Sequence, residues 1–235
     1  MSAPRAKTST AAARPRLISL GRGRYDRTQS SDQRRREQRT RLLDAATRVF
    51  ARDSAARATV EAIVTEAGMS RRTFYEHFDG VGHVLDKVYD RAARLAYAAV
   101  EQIVRAESDP IAQVRVGVAA YLGLVAMNAD AARVVFQEYR RAGLEQELRF
   151  ERDGERYAQL LLESLSAAHA AGQIEQPPNE VACFALIKGV EAVAIRHLLR
   201  REEDRLTAAV PALTELVLGA FRGPTIHSRR SGRPR

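Results

Sequence analysis

The amino-acid sequence predicts an all-α protein, and three observations support this fold class. Apolar residues recur at three- and four-residue spacing from about Arg36 onward, which is the period of an amphipathic helix. Glycine, proline and asparagine divide this pattern into stretches of roughly 12 to 28 residues, normal lengths for helices in an all-α domain. Runs of alternating β-branched residues between turn signals do not occur in the sequence, so we expect no strands.

Three short helices are predicted near the N-terminus. The first carries an apolar stripe at helical spacing, formed by Leu42, Ala46, Val49 and Phe50. After the break DSAARA, Thr59 is placed to cap a second helix, and Gly68 ends it because glycine readily adopts the left-handed conformation. Ser70 is a suitable cap for the third helix. Two helices joined by a glycine-containing turn predict a helix-turn-helix, whose second helix can enter a major groove.

The third helix lies in the segment Ser70–Phe78, SRRTFYEHF, which mixes aromatic and cationic residues. On a helical wheel, Phe74 and Phe78 fall on one side, where they would pack against the first two helices. Arg72 and Tyr75 fall on the opposite side. A helix that is anchored on one side and free on the other is suited to contact with a ligand surface such as a duplex.

From about Val84 the chain reads as consecutive helices. Breaks are predicted at Asp109-Pro110, Asn128, Gly143, Gly172, Pro177-Pro178 and Gly223-Pro224. The segment Ala182–Leu199 is apolar nearly all round, so it must be covered on more than one side, by its own domain and, in a dimer, by a second subunit.

The chain is basic at its ends and mildly acidic in its body. Residues 1–82 carry 17 Lys and Arg against 9 Asp and Glu, a balance of +8, whereas residues 83–221 carry 16 against 20, a balance of −4. Residues 222–235 add five arginines and no acid. A basic N-terminal segment is typical of proteins that bind nucleic acid, although a solubilising tail has the same composition.

Composition also limits the cellular setting. Cys183 is the one cysteine, so an internal disulfide and a cysteine-built zinc site are excluded. The first 20 residues are basic, but their apolar patch, Leu17–Leu20, is too short for a signal peptide. No apolar run approaches the length of about 20 residues that crosses a bilayer. We therefore expect a cytoplasmic protein without a membrane partner.

Residues 36–85 resemble the DNA-binding domain of the TetR family of bacterial transcription regulators. The matching positions are Leu42-Leu43-x-Ala45-Ala46-x-x-x-Phe50, Thr59-Val60-x-x-Ile63, Ala67-Gly68-Met69-Ser70 and Thr73-Phe74-Tyr75-x-His77-Phe78, leading to Leu85. Beyond them, the resemblance implies a divergent helical domain for ligand binding and dimerisation. We divide the chain into a basic disordered arm (1–33), a helix-turn-helix domain (34–82), a helical effector-binding and dimerisation domain (83–222) and a basic disordered tail (223–235).

The resemblance implies DNA contacts from all three N-terminal helices. Thr59 and Tyr75 would contact phosphates and His77 would share that role. The fork of an arginine can donate two hydrogen bonds to guanine, so base edges would be read by Arg71, Arg72 and Thr73. The complete predicted set is Arg36, Thr40, Thr59, Ser70, Arg71, Arg72, Thr73, Tyr75 and His77. A solvated face for the two arginines and a packed core position for Tyr75 are the structural alternatives.

Some positions depart from the family pattern, and other basic residues could compensate. Val81 stands where family members commonly carry a lysine, which removes one phosphate contact, and Glu61 stands where many carry a basic or polar residue. Arginine-rich arms can enter the minor groove. Candidates for this role are Arg34, Arg35, Arg36, Arg39, Arg41 and the terminal pieces Gly21–Arg24 and Ser231–Arg235, for which flexible tails are the alternative.

Two further sites are predicted in residues 83–222. Small residues permit close helix approach, so a dimer interface is predicted on the last two helices, formed by Gly189, Ala192, Val193, Arg196, Leu213, Leu216, Val217 and Ala220. The alternative is that these residues only fill the core of a monomer. Polar or aromatic candidates for a small-molecule site are Tyr97, Tyr121, Asn128, Phe136, Gln137, Tyr157, His169, Phe184 and His197. The chain has no tryptophan and 6% aromatic residues, which argues against an aromatic cage for a flat cation and favours an apolar ligand.

These observations predict a dimeric DNA-binding regulator, most simply a repressor that binds a palindromic operator and is released by a small, largely apolar molecule. The ligand would displace the helix that begins near His83 and change the distance between the two recognition helices. The alternatives are a constitutive or architectural DNA-binding protein and a helical carrier of apolar molecules. We predict no catalytic residue, metal or cofactor, because the five histidines lack metal-ligand spacing and no phosphate loop or nucleophile elbow occurs.

Overall fold

The computed structural model describes residues 31–222, and this part of the chain is helical without strands. The helices, in chain order, are α1 (Ser31–Asp53), α2 (Val60–Ala67), α3 (Arg71–Tyr75), α4 (Val81–Ala106), α5 (Pro110–Met127), α6 (Ala129–Arg133), α7 (Leu144–Ala170), α8 (Glu180–Leu199) and α9 (Val210–Gly219). A π-helical stretch, Val134–Tyr139, follows α6 directly and is called the π segment below. Short 3₁₀ turns span Arg140–Ala142 and Glu203–Ala209. The all-α prediction is confirmed.

Helix α1 begins at Ser31, before the predicted start near Arg36, and so extends into the predicted arm. Residues 31–41 are exposed except for the half-buried Gln38, and therefore show no apolar period that could have indicated a helix. Arginine, glutamine and glutamate are nevertheless good helix formers, and Asp32 in the first turn is favourable at a helix N-terminus. The rest of the predicted arm and the tail lie outside the described residues.

The predicted helix boundaries around the turn are confirmed. The hydroxyl of Thr59 accepts a hydrogen bond from the Ala62 amide at 3.1 Å, and that of Ser70 accepts one from the Thr73 amide at 3.1 Å. Gly68 ends α2 with φ 62° and ψ 42°, the left-handed conformation that glycine adopts without strain. The break at Gly223-Pro224 lies outside the described residues.

One apolar core joins the N-terminal helices to the body. The cluster that contains Phe50, Phe74 and Phe78 continues without interruption to Leu85 on α4 and to Leu213 on α9. The apolar packing therefore continues across the predicted domain boundary between residues 82 and 83.

Helix α5 runs through the body between α4, α7 and α9. It has 18 residues and is long and apolar enough to cross a membrane by length and composition, which corrects the expectation that no segment reaches that size. It packs against three other helices and lines two internal cavities, and 28% of this span is buried within the single chain.

The π segment lies between the body and the N-terminal helices. Its Tyr139 ring stacks on the Tyr89 ring of α4, with centroids 3.7 Å apart and planes 8° apart. A carboxylate oxygen of its Glu138 accepts the amide N–H of Ala55, in the α1–α2 connection, at 2.7 Å. A wide helical turn thus contacts both neighbouring parts of the fold.

Candidate nucleic-acid interface and internal cavity

The segment Ser70–Phe78 is anchored by its phenylalanines, as predicted. Phe74 and Phe78 are 0% and 1% exposed, and their ring centroids lie 5.6 Å apart. The next ring along the chain, Tyr75, is 53% exposed and meets Phe74 edge-on at 5.4 Å. Tyr75 is therefore a surface residue, and the alternative of a packed core position for it is excluded.

Most of the predicted DNA-contacting residues are exposed. Arg36, Thr40, Thr59, Ser70 and Arg71 lie at the surface, as do Arg72 and Tyr75. The Arg72 side chain is 91% exposed, and its one ion pair in the described structure, with Glu76 at 3.4 Å, is of the weak exposed kind. Its guanidinium is therefore free to bind another group.

Thr73 and His77 are half-buried and already hydrogen-bonded within the protein. The Thr73 and Ser70 hydroxyls lie 2.9 Å apart, and His77 Nε2 lies 3.4 Å from Gln38 Oε1. Burial, together with the positive charges of Arg35 and Arg39, lowers the pKa of His77 below its ordinary value near 6.5. The lowered pKa favours the uncharged imidazole, which can contact a phosphate through a neutral hydrogen bond.

Three arginines that were candidates for a minor-groove arm instead contact the protein itself. Arg41 donates to the Ala67 carbonyl at the end of α2 at 2.9 Å, and Arg35 donates to the Glu76 carbonyl at 3.3 Å. The Arg39 guanidinium lies 5.5 Å from the centre of the Phe78 ring. The last carbonyls of a helix have no partner within the helix, so an arginine could have been expected to bind the end of α2, as Arg41 does.

An internal cavity of about 80 Å³ lies in the body, with walls from α4, α5, α6, the π segment, α7 and α8. A second cavity of about 60 Å³ adjoins it, and both are lined by Tyr121 and Tyr157. Four predicted ligand residues line the first cavity: Tyr121, Asn128, Phe136 and Tyr157.

The other predicted ligand residues lie elsewhere. Tyr97 packs against Tyr157 beneath Arg156 and does not line the cavity. Gln137 lines a separate polar cleft of about 170 Å³ next to α1, and Phe184 lines a surface groove between α7 and α8. His169 is exposed, and His197 bonds the carbonyl one turn before it. Periodicity alone did not reveal which polar residues share a space.

Two acidic residues of the cavity were missed by sequence reasoning. Glu191 is 5% exposed and accepts a hydrogen bond from Lys188 at 2.9 Å, while Asp153 accepts one from the Tyr89 hydroxyl at 2.6 Å. Burial raises the pKa of Glu191, and the ammonium of Lys188 opposes this shift. In sequence, Lys188 and Glu191 look like an ordinary surface pair three residues apart on a helix.

Aromatic rings are concentrated around this cavity. Five of the chain's 14 Phe and Tyr residues line it, namely Tyr89, Tyr121, Phe136, Phe150 and Tyr157. An aromatic content of 6% averaged over the chain therefore carries no information on clustering, and the expectation that the site is no aromatic cage for a flat cation stays a prediction. In the described part of the chain, no group of three or more His, Cys, Asp or Glu side chains could hold a metal ion.

The predicted dimer residues divide into two sets. Leu213 and Val217 are 6% and 1% exposed within the single chain, so they belong to its own core and leave the candidate interface. Ala192, Arg196, Leu216 and Ala220 are exposed, and Gly189 and Val193 are half-buried. Three residues missed in the sequence lengthen the exposed face of α8, namely Val181, Ala185 and Leu199.

Comparisons with known proteins address both parts of the chain. Residues 42–80 match the family model described as "Bacterial regulatory proteins, tetR family". Residues 107–195 match the model described as "Tetracyclin repressor-like, C-terminal domain". Together these matches cover more than half of the chain.

Solved structures of two regulators share this fold. The fatty acid degradation regulator FadR of Bacillus halodurans is 22% identical, with a TM-score of 0.70 over 79% of this chain and 96% of that one. FadR of Bacillus subtilis, solved in complex with stearoyl-CoA, is 18% identical, with a TM-score of 0.69 over 77% and 98%. The nucleoid occlusion factor SlmA of Marinomonas sp. (strain MWYL1) is 24% identical over 102 residues. This match covers 43% of the chain and about half, 52%, of that relative's length.

Proposed function

We propose that this chain, which belongs to the TetR family of bacterial regulatory proteins, is a cytoplasmic repressor that binds a palindromic operator as a homodimer and leaves it when a small apolar molecule binds. As a member of this family it is a DNA-binding helix-turn-helix regulator of transcription. The main support for this proposal is a pair of exposed arginines, Arg71 and Arg72, on a segment that two buried phenylalanines hold in place.

Specificity would come from Arg71, Arg72 and Thr73, and affinity from the surrounding hydroxyls and backbone. The exposed fork of Arg72 has the geometry to donate to O6 and N7 of one guanine. Thr59 uses its oxygen as the acceptor for a helix cap, so its hydroxyl proton remains to be shared with another acceptor. The paired Ser70 and Thr73 hydroxyls can together donate one proton outward. Such contacts with phosphates position a helix without reading sequence.

The dimer is supported by an exposed apolar face on α8 and α9. Val181, Leu199 and Leu216 are 80%, 60% and 54% exposed, and between them lie small residues such as Ala192 and Ala220. Large apolar side chains exposed to this degree mark an interaction site when they lie close together on a protein surface. A second copy would cover it and hold two recognition helices at the spacing of operator half-sites.

The coupling from ligand to DNA would pass through α4 and the π segment. Helix α4 contributes Tyr89 and three alanines to the cavity wall, and α4 begins directly after the recognition segment. The π segment contributes Val135 and Phe136 to the same wall, while its Glu138 holds the Ala55 amide of the DNA-binding unit. A ligand that prefers one arrangement of these walls would favour one placement of the recognition helices.

The cavity favours a ligand-responsive regulator over a constitutive or architectural DNA-binding protein, because a protein without an effector has no need of this space. The Bacillus subtilis relative, solved with stearoyl-CoA, supports an effector role for the helical body. The long ligand of that relative is not carried over, because the cavities of the present chain are small.

Selection of bound sequences from a random duplex pool tests the proposal. We expect enrichment of one palindrome, and we expect Arg72→Ala to lose discrimination at one base pair in each half-site, about 1–3 kcal/mol. Arg115→Ala, at an exposed position on α5, is the matched control and should select the wild-type sequence. Binding without an enriched sequence would favour the architectural alternative. Absence of salt-sensitive binding to duplex DNA would favour a carrier.

A further inference from the structure

The charge on the walls of the two cavities has one sign. Among the described residues that line them, Asp153 and Glu191 are the acidic ones. Lysine, arginine and histidine are missing from both walls as described. The ammonium of Lys188, beside this wall, is already engaged by two carboxylates, Glu151 at 3.1 Å and Glu191 at 2.9 Å. A carboxylate or phosphate in this space would therefore have to compete with both at low dielectric.

The chain itself places an ammonium group at this wall. Lys188 Nζ lies 2.9 Å from a carboxylate oxygen of Glu191 and 4.6 Å from the centre of the Phe150 ring. Gly154 opens the path to this position, since a Cβ at residue 154 would lie 2.9 Å from the same nitrogen. Glu191 and Phe150 both line the cavity, so the face of the wall that holds Lys188 has the groups that bind an ammonium ion.

Two hydroxyls in the cavity also lack partners. Tyr121 and Tyr157 lie between the two cavities and line both, and neither hydroxyl makes a hydrogen bond to another described residue. Their ring centroids are 5.4 Å apart, in an edge-to-face arrangement. Both tyrosines are half-buried, and a ligand with a polar head group could hydrogen-bond to their hydroxyls.

We propose that the effector is an apolar molecule with one positively charged amino group, which binds the Glu191 carboxylate against the aromatic wall. This inference rests on the proposed function and specifies the class of its ligand. The cavities of about 80 and 60 Å³ have room for roughly ten water molecules in all, which corresponds to a ligand of roughly ten to fifteen non-hydrogen atoms. Lys188 then acts as a resident counter-ion, which the amino group of the ligand joins or displaces at Glu191.

Three probes with one apolar body and different charges test the ligand class. Phenylbutylamine, phenylbutanol and phenylbutyrate are titrated into the full-length protein by isothermal calorimetry at neutral pH. We expect the amine to bind most tightly, roughly ten-fold or more above the alcohol, because hydrogen bonds to charged groups are stronger than neutral ones. The carboxylate should bind most weakly. Tightest binding of the carboxylate, or binding of none of the three at millimolar concentration, would overturn the proposal.

Two variants assign the preference to residues. Glu191→Gln keeps the shape of the side chain and removes its charge, so the affinity for the amine should fall to that for the alcohol. Lys188→Met removes the resident ammonium, so the amine should bind more tightly than to the wild type. An unchanged preference in Glu191→Gln, or phenylbutyrate binding that disappears in Lys188→Met, would contradict the assignment. Melting curves of both variants establish that they are folded.

The ligand titrations and the test of DNA recognition can fail independently of each other. Operator selection with the unliganded wild-type protein measures DNA recognition alone. A palindrome selected without any preference for the amine would retain the regulator and refute the ligand class. Binding of the amine without recognition of DNA would have the opposite meaning.

Discussion

Phe74 and Tyr75 are adjacent in the chain and lie in opposite environments. Phe74 is enclosed by the core shared with α1 and α2, whereas Tyr75 projects over half of its surface into solvent. Because a helix turns about 100° per residue, one aromatic ring can fix the helix while its neighbour remains available for contact. The division of roles within this segment is therefore a property of single residues.

At this scale we predict unequal costs of truncating the two rings. Phe74→Ala should lower the free energy of unfolding by about 3–5 kcal/mol, because it removes a fully buried ring and leaves a cavity. Tyr75→Ala should change it by no more than about 0.5 kcal/mol and should weaken operator binding. Denaturant unfolding followed by circular dichroism measures the first quantity. Equal losses in the two variants would refute the anchoring role of Phe74.

The charged residues of the cavity mark the limit of sequence reasoning for single residues. Glu191 and Lys188 occur on the helix that is otherwise apolar all round, and in sequence they read as a surface ion pair. Their burial depends on Gly154 of α7, 34 residues before Lys188, which leaves the space that Lys188 enters. Nothing local to α8 encodes that contact.

Among the secondary-structure elements, the three N-terminal helices are defined by local signals. Thr59, Gly68 and Ser70 act within three residues of their own positions, through caps and a left-handed turn. Interactions of such short range can be predicted from sequence, and these were. The π segment could not be predicted, because its contacts with Ala55 and Tyr89 join residues far apart in the chain.

For these elements we predict a measurable contribution from the cap of α2. Thr59→Ala should lower the free energy of unfolding by about 1 kcal/mol, since the Ala62 amide loses its acceptor. Thr65→Ala, at an exposed position inside the same helix, serves as the control and should stay within about 0.5 kcal/mol. Thermal or urea unfolding checks both values. If Thr65→Ala proved as costly as Thr59→Ala, general helix propensity would explain the loss and capping would not.

At the scale of the whole molecule, exposed apolar residues of α8 and α9 form the candidate subunit interface. Its existence was predicted from the composition of Ala182–Leu199, but its members were only partly identified. Leu213 and Val217 turn inward because α9 packs against α5, a contact that sequence periodicity does not specify. Fold class is encoded in repeated spacing along the chain, whereas the division between core and interface is decided by the arrangement of the helices.

For the assembled protein we predict that Leu216→Glu prevents dimer formation and reduces operator affinity. A charge placed at the centre of an apolar interface would be buried without a partner. Leu148→Glu is a closely matched control, because Leu148 is also 54% exposed and lies on α7 outside this face. Sedimentation should give a monomer for Leu216→Glu and a dimer for Leu148→Glu. A dimer in both variants would place the subunit contact elsewhere.

The continuous core determines where the N-terminal helices could be joined to the body of another protein. A joint at Gly82 would separate Phe50 and Phe78 from Leu85 and Leu213, leaving apolar surface on both halves of the chimera. The first turns of α4 and the π segment would have to accompany the N-terminal helices to the new host. In this molecule the unit that can be transplanted is therefore larger than the helix-turn-helix itself.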